Sequence, residues 1–221
     1  MRRIVLLLPL TLLAGCFDMQ ADIELNMDGS GSAAIGYALT EDFLKSGPLE
    51  NMILRKDGQA YIDRNKVLKR FEDREGITLK DLDLWREEDK HYLRIMLDFE
   101  NIAQLGDRNV QYEWALEDGA WVLRIIVRKE KAAAGRDEDG QREALRSALY
   151  DALSKQGFHF RVHLPRKIID SNADEVRWNV AEFFVPVSFF LKPEATTRIL
   201  YARVEATTWE RVRWWVSSLF S

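Results

Sequence analysis

The chain has 221 residues, 47% of them hydrophobic and 31% charged, with a formal net charge of −4 and a single cysteine. An acidic balance argues against nucleic acid as a partner, and one cysteine excludes an intramolecular disulfide. A chain of this length buries somewhat over two thirds of its unfolded surface, so the expectation is one domain held by its core alone.

Arg2 and Arg3 give a basic start, Ile4 to Leu13 an apolar run, and Ala14 and Gly15 two small residues ahead of Cys16. These are the three parts of a cleaved export signal. A membrane span needs roughly 20 apolar residues, whereas this run is about half that length and contains Pro9. Leu13-Ala14-Gly15-Cys16 resembles the lipobox of diacylglyceryl-modified bacterial lipoproteins, whose signal peptidase needs small residues beside the cysteine that takes the lipid. The resemblance implies a signal peptide at 1–15 and a mature chain that starts at Cys16. That cysteine would carry acyl chains, palmitate among them, and its lipid would tether the protein to the cell envelope. The alternatives are an ordinary secretory peptide or a buried free thiol. Loss of Arg2 and Arg3 takes the formal charge from −4 to −6. Phe17 stands where aspartate marks inner-membrane retention in many Gram-negative bacteria, so the same resemblance implies the outer membrane.

From Ala21 to Leu39 apolar and polar residues alternate on either side of Asp28-Gly29-Ser30-Gly31, which predicts a hairpin. Thr40 can cap a helix, and Gly47-Pro48 interrupts the segment Phe43 to Leu54, so two short helical pieces are expected there. Val67, Leu68 and Phe71 lie at helical spacing between Asp63 and Arg74, with Gly76 placed to stop the helix. Ile77 and Leu79 then share one parity while Leu82 and Leu84 share the other. That slip around Lys80-Asp81 predicts a bulge or bend. Beyond the turn Glu87-Glu88-Asp89-Lys90, Leu93, Ile95, Leu97 and Phe99 form a clean strand face that should pair with the preceding strand. Asn101 to Leu105 has room for one helical turn. Val110 to Leu116 and Trp121 to Val127 are two alternating strands joined at Asp118-Gly119.

Residues 129–140 contain no large apolar side chain and read as a mobile loop. Leu145, Leu149, Ala152 and Leu153 predict an amphipathic helix over 141–155 that lies on the sheet. Phe158, Phe160, Val162 and Leu164 alternate with His159, Arg161 and His163 and end at Pro165, which predicts a strand with one apolar and one polar face. This strand, followed by Ile168-Ile169-Asp170-Ser171-Asn172-Ala173-Asp174 and Val176-Arg177-Trp178, resembles the signature of the LppM-like domain of bacterial envelope lipoproteins. The opening hairpin just after a lipobox is similar to the start of that family. The likeness covers the two ends of the mature domain and leaves roughly its middle half unmatched. Pro165 can stop a strand, Asn172 can take a left-handed turn and Trp178 can restart a strand, so these positions also serve as fold markers. Arg166 departs from the glycine that often follows the proline. The C-terminal span carried by many members has no counterpart, so no second crossing is expected. The resemblance implies an α+β envelope domain in contact with lipid or glycolipid and without established catalysis.

No catalytic or metal constellation emerges. His159 and His163 would face one ion on a helix, but on a strand they share a face with Arg161 between them, and a cation there repels a metal. No metal and no cofactor are expected. Glu87-Glu88 and Asp137-Glu138 sit in turns where nothing shifts a pKa for acid–base work. Gly29-Ser30-Gly31 lacks the strand-to-helix setting of a nucleophile elbow.

The run Phe183, Phe184, Val185, Val187, Phe189, Phe190 and Leu191 is apolar on both faces. It reads as a buried strand or, opened at Pro186, as one wall of a cleft for acyl chains. Thr207 or Thr208 can cap a final helix over 207–221 with Trp209, Val212, Val216 and Leu219 or Phe220 on one face. Trp209, Arg211, Arg213, Trp214, Trp215 and Phe220 make it resemble an interfacial helix, since indoles favour the headgroup level and arginines anionic lipid. The alternative is a helix docked on the sheet, which would leave Trp214 exposed. The expected whole is an α+β domain over 16–206, an antiparallel sheet of hairpins with helices mainly on one face, followed by this tail. Its expected function is a non-catalytic, membrane-anchored lipoprotein that binds envelope lipid or glycolipid. The runner-up is an assembly factor that presents a sheet edge or its tail to an envelope protein, and an enzyme ranks third.

Overall fold

In the computed structural model, residues 17–41, 44, 52–56, 59–72, 74–129, 156–191 and 194–218 are described. The first alternating segments form β1 (Phe17–Leu25) and β2 (Gly31–Thr40), paired antiparallel from Phe17↔Leu39 to Leu25↔Gly31. Their turn is fixed by Asp28, whose carboxylate accepts from the Ser30 amide at 3.0 Å and the Ser30 hydroxyl at 2.7 Å. Where the second of two helical pieces was expected to end, Ile53–Lys56 is instead β3, paired with β4 (Gln59–Ile62). Cross-strand partners decided this segment over local periodicity. The rest of the expected helical pair lies outside the described residues, apart from Glu41, Leu44 and Met52. Helix α1 (Arg64–Glu72) forms as expected, with Asp63 accepting the Asn65 amide and with Val67 and Phe71 buried.

The central strands match their periodicity. β5 (Ile77–Glu87) pairs with β6 (Lys90–Phe99), and the predicted phase slip is a bulge between Leu79 and Asp81. A 3-10 turn, Ile102–Leu105, follows, closed by reciprocal hydrogen bonds between Asn101 and Gln104. β7 (Val110–Glu117) and β8 (Ala120–Lys129) meet at Asp118 and Gly119, both with positive φ, the geometry of a tight two-residue hairpin turn. The expected loop beyond Lys129 and the helix over 141–155 lie outside the described residues. The later strands are β9 (Gly157–His163), β10 (Ile168–Ser171), β11 (Glu175–Arg177), β12 (Val180–Pro186) and β13 (Thr196–Glu205). Helix α2 (Ser188–Leu191) follows β12, and α3 (Thr208–Ser218) follows β13. Trp178 does not restart a strand but forms the turn between β11 and β12.

These strands do not make the expected α+β arrangement. Seven of them form one sheet in the order β11-β12-β9-β1-β2-β6-β5, and β10-β13-β8-β7 form a second. Apolar faces of both sheets share one core: Ala21, Ile23, Leu93, Ile95, Phe160 and Val162 belong to the first, Leu123, Ile125, Leu200 and Ala202 to the second. The fold is therefore β-rich, with three α-helices among the described residues, and a second sheet packs where helices were expected. Alternation reveals that each strand has a buried face; it does not reveal which strands share a sheet. The large sheet is also mixed, because β1 pairs parallel with β9, Met19↔Phe158 to Glu24↔His163.

Close approach of strands at the hairpin base explains Gly31, where a Cβ would sit 1.9 Å from the Glu24 carbonyl oxygen and 2.7 Å from Phe99. A Cβ at Gly36 would meet nothing nearer than the Gln20 carbonyl oxygen at 3.9 Å. Gly31→Ala should therefore lower the unfolding free energy by about 1–3 kcal/mol, and Gly36→Ala should leave it near wild type, as read by urea denaturation.

Candidate functional site

Along β1 the core-facing residues Ala21, Ile23 and Leu25 are buried, whereas Met19, in phase with them, is half-buried. On β2, Ala33 and Leu39 are fully buried while Ile35 and Tyr37 between them are half-buried. The sandwich stands open there around a cavity of 360 Å³. Its interior is apolar, with Met19, Ile35, Ile95, Leu97, Phe158 and Phe190 among its walls. Phe190, part of the apolar run read as a buried strand or a cleft wall, packs on Phe158 with ring centroids 5.0 Å apart. Phe183 and Val185 of that run are buried in the core.

The lining also includes Arg70, Arg74, Asp107, Asn109 and the hydroxyl-bearing Tyr37 and Tyr112, of which Arg70, Arg74, Asp107 and the two tyrosines are electrostatic neighbours. Arg74 donates from Nη2 to the carbonyl oxygens of Gln104 and Gly106, both at 2.6 Å. Burial, and then the neighbouring Arg70 charge, pull its pKa below the ordinary arginine value, with Asp107 opposing. An anion between the two guanidinium groups would relieve that repulsion. Asp107 accepts the Asn109 and Val110 amides at 2.7 and 2.9 Å and so shapes the loop before β7. Burial raises the pKa of both tyrosines, which remain neutral hydrogen-bond donors at ordinary pH. A mostly apolar chamber that also presents two arginines and two tyrosine hydroxyls suits an amphiphile with an acyl chain and an anionic or polar head.

The site residues expected from sequence lie elsewhere. Cys16 and Phe220 are outside the described residues. His159 and His163 occupy the solvent face of β9, as the alternation required, and each faces a carboxylate. His163 Nε2 is 3.1 Å from Asp22 and His159 Nε2 is 3.6 Å from Asp18, with Arg161 reaching Glu182 at 3.0 Å. Among the described residues, no group of three His, Cys, Asp or Glu side chains converges on a metal position.

Helix α3 is fastened through its first turn. Thr207 and Glu210 cap it reciprocally, Arg166 donates to Glu210 at 2.7 and 3.3 Å and to the Glu205 carbonyl oxygen at 3.0 Å, and Arg211 donates to the Ala206 carbonyl oxygen. Arg166, the departure from the family pattern, thus ties the tail to the domain. Arg211 and Arg213 are exposed. Trp209, Val212 and Trp215 form an exposed stripe at 74%, 46% and 59%, whereas Trp214 is half-buried. The helix is rotated from the expected docked orientation, in which Trp214 was the exposed residue. It also begins at the end of the large sheet away from Phe17. Glu24 pairs with His163, His163 pairs with Val180, Trp178 accepts the Ile168 amide, and Arg166 reaches Glu210. The nine residues of β1 separate those two ends by roughly 27 Å. Among the described residues no helix is long and apolar enough to cross a membrane.

No family model and no curated protein matches the chain. Among solved structures, the chain is similar to the NMR structure of the folded domain of the Mycobacterium tuberculosis LppM protein, at 12% identity and a TM-score of 0.44. The alignment covers 88% of this chain and 92% of that one.

The Arg166 guanidinium, helped by the Thr207 amide and hydroxyl, holds the Glu210 carboxyl down to about 2. Its ionised form is favoured in the folded protein, so the stabilisation is complete above the ordinary value of 4.5 and is lost as pH falls through about 2. Protection factors of the amides across 208–218, referenced to the intrinsic exchange rate at each pH, should fall as pH drops through that window. Glu210→Gln should show the reduced protection already at neutral pH.

Proposed function

We propose that the protein is a non-catalytic envelope lipoprotein, anchored through acylated Cys16, that binds an amphiphilic lipid or glycolipid between its two sheets. The carrying observation is the composition of the cavity, a mostly apolar lining that also includes the exposed Arg70 and its neighbour Arg74. Its placement supports the same reading: Met19, three residues after Cys16, is one of its walls. An acyl anchor at Cys16 would hold that end of the sandwich against a bilayer, where such ligands reside. Burying an acyl stretch of about eight methylenes contributes ~6 kcal/mol before the cost of immobilisation, so headgroup contacts would decide which lipid is kept. The outer membrane is the proposed location, on the Phe17 argument.

One observation favours the runner-up, a protein-binding role. Trp209, Val212 and Trp215 present an apolar stripe that the domain leaves exposed. A sheet edge is the weaker candidate surface. Edge strand β5 is broken by its bulge, carries Lys80, Asp81 and Asp83, and has its Leu82 carbonyl oxygen bonded by Arg64 at 2.6 Å. If Trp209, Arg211, Arg213, Trp214, Trp215 and Phe220 contact the anchoring bilayer instead, the strands must lie along its surface, because the tail starts at the end opposite Phe17.

Mass spectrometry of gently extracted native protein should find Cys16 acylated and a lipid bound without covalent linkage. Ile35→Trp, which fills the cavity, should lower affinity for a fluorescent lysophospholipid at least about tenfold with little change in thermal stability. Delipidated protein that takes up no lysophospholipid or fatty acid, with Ile35→Trp behaving as wild type, would sink the cavity reading.

A further inference from the structure

The outward face of the seven-stranded sheet carries a second concavity, of 400 Å³, on the other side from the lipid cavity. Its floor is β2, whose outward residues Ala34, Gly36 and Ala38 are all small. One wall is β1, with Asp18, Gln20 and Asp22 paired across to those three positions. The other wall is aromatic. Tyr92 pairs with Ala38, and Trp85 stacks on Tyr92 with ring centroids 5.0 Å apart and planes 7° apart. Trp85 remains 43% exposed.

Two features of this groove bear on what it could hold. Glycine weakens a strand interior and often marks close approach of a ligand, and at Gly36 no neighbouring atom excludes a side chain. The β1 carboxylates lie beside basic side chains of β9, Asp18 at 3.6 Å from His159 and Asp22 at 3.1 Å from His163 and 3.7 Å from Arg161.

We propose that this groove binds a short, uncharged or amino-bearing oligosaccharide. A sugar ring presents an apolar C–H face that packs on an exposed indole, and vicinal hydroxyls that pair with planar Asp, Gln and Arg side chains; Trp85, Asp18, Gln20, Asp22 and Arg94 supply both around one floor. From Ala34 to Ala38 the floor runs roughly 13 Å, which suits several rings in a row. Asp18 and Asp22 disfavour phosphorylated or sulfated chains. The floor is an interior strand whose backbone is already paired on both sides, so an extended peptide would find no ladder to join. The walls carry too many carboxylates for an acyl chain. The groove and the inter-sheet cavity share only Tyr37 in their linings, so each can be altered separately.

The test uses the full detergent-solubilised chain, titrated by calorimetry and Trp fluorescence with chitotriose, maltotriose and, as a charged control, a sulfated oligosaccharide. Saturable binding of one of the two non-sulfated sugars is expected, together with a loss of about tenfold or more in Trp85→Ala. Gly36→Val, which fills the floor without a backbone clash, should abolish binding with wild-type thermal stability. Ile35→Trp in the other cavity should bind sugar normally, so the two sites fail separately. No saturable binding of either non-sulfated sugar at millimolar concentration, preference for the sulfated chain, or undiminished binding in both groove variants would each overturn the proposal.

Discussion

Burial of two apolar sheet faces against one another is the constraint on which the molecule depends. With one cysteine in the chain, no disulfide is available to restrict the unfolded state, and the three described helices are too short or too exposed to bury much of either sheet. The shared core supplies the stabilisation, and small residues set how closely the layers and strands approach. Gly31 lets β2 pass against Glu24 and Phe99, and Trp114 crosses from the second sheet to donate to the Met27 carbonyl oxygen at 3.1 Å while stacking on Trp121. Where the same core-facing register carries Met19, Ile35 and Tyr37, the layers separate. The cavity is therefore a local failure of closure, in a sandwich that closes tightly around Ile23, Val162 and Val204.

Legibility in the sequence followed the range of the interactions. The hairpin at Asp28-Gly29-Ser30, the bulge near Lys80-Asp81, the helix over Val67 and Phe71, and the β7–β8 turn at Asp118-Gly119 are all specified by neighbours within a few residues. Periodicity and turn chemistry therefore found them. The parallel pairing of β1 with β9 joins residues well over a hundred positions apart, and neither strand's alternation encodes its partner. The division into two sheets was hidden for the same reason, and with it the cavity. Met19, Arg70, Asp107 and Phe190 are far apart in sequence and meet only because of that division. One signal was present: the apolar run through Phe190 was richer than a single strand needed.

Helix α3 shows the limit of reading one face from spacing alone. Trp209, Val212 and Val216 share a stripe, and a stripe normally points at a core. Here the first turn is clamped by Arg166 to Glu210 and by Arg211 to the Ala206 carbonyl oxygen, and those polar contacts, contributed by the loop after β9 and the end of β13, set the rotation. Trp214 turns partly inward, and Trp209 and Trp215 turn out. A charged contact specified by Arg166, more than forty residues away in sequence, outweighed the amphipathic pattern.

These placements constrain how an acylated chain would sit. β1 begins at Phe17, directly after Cys16, so a lipid on that cysteine would have almost no linker through which to reorient the domain. Upright on a bilayer, the sandwich would bring the Met19 end of its cavity to the membrane and carry α3 and Trp178 roughly 27 Å away, toward whatever faces that membrane. Lying flat, it could touch the bilayer with both ends but would commit one long side to it. The outward groove of β1, β2 and β6 runs along the strands, so it stays open to solvent when the domain stands and when it lies on any side but that one. The upright arrangement would give each surface a separate place: the cavity at the base, the groove along the side, and an exposed tryptophan stripe at the top.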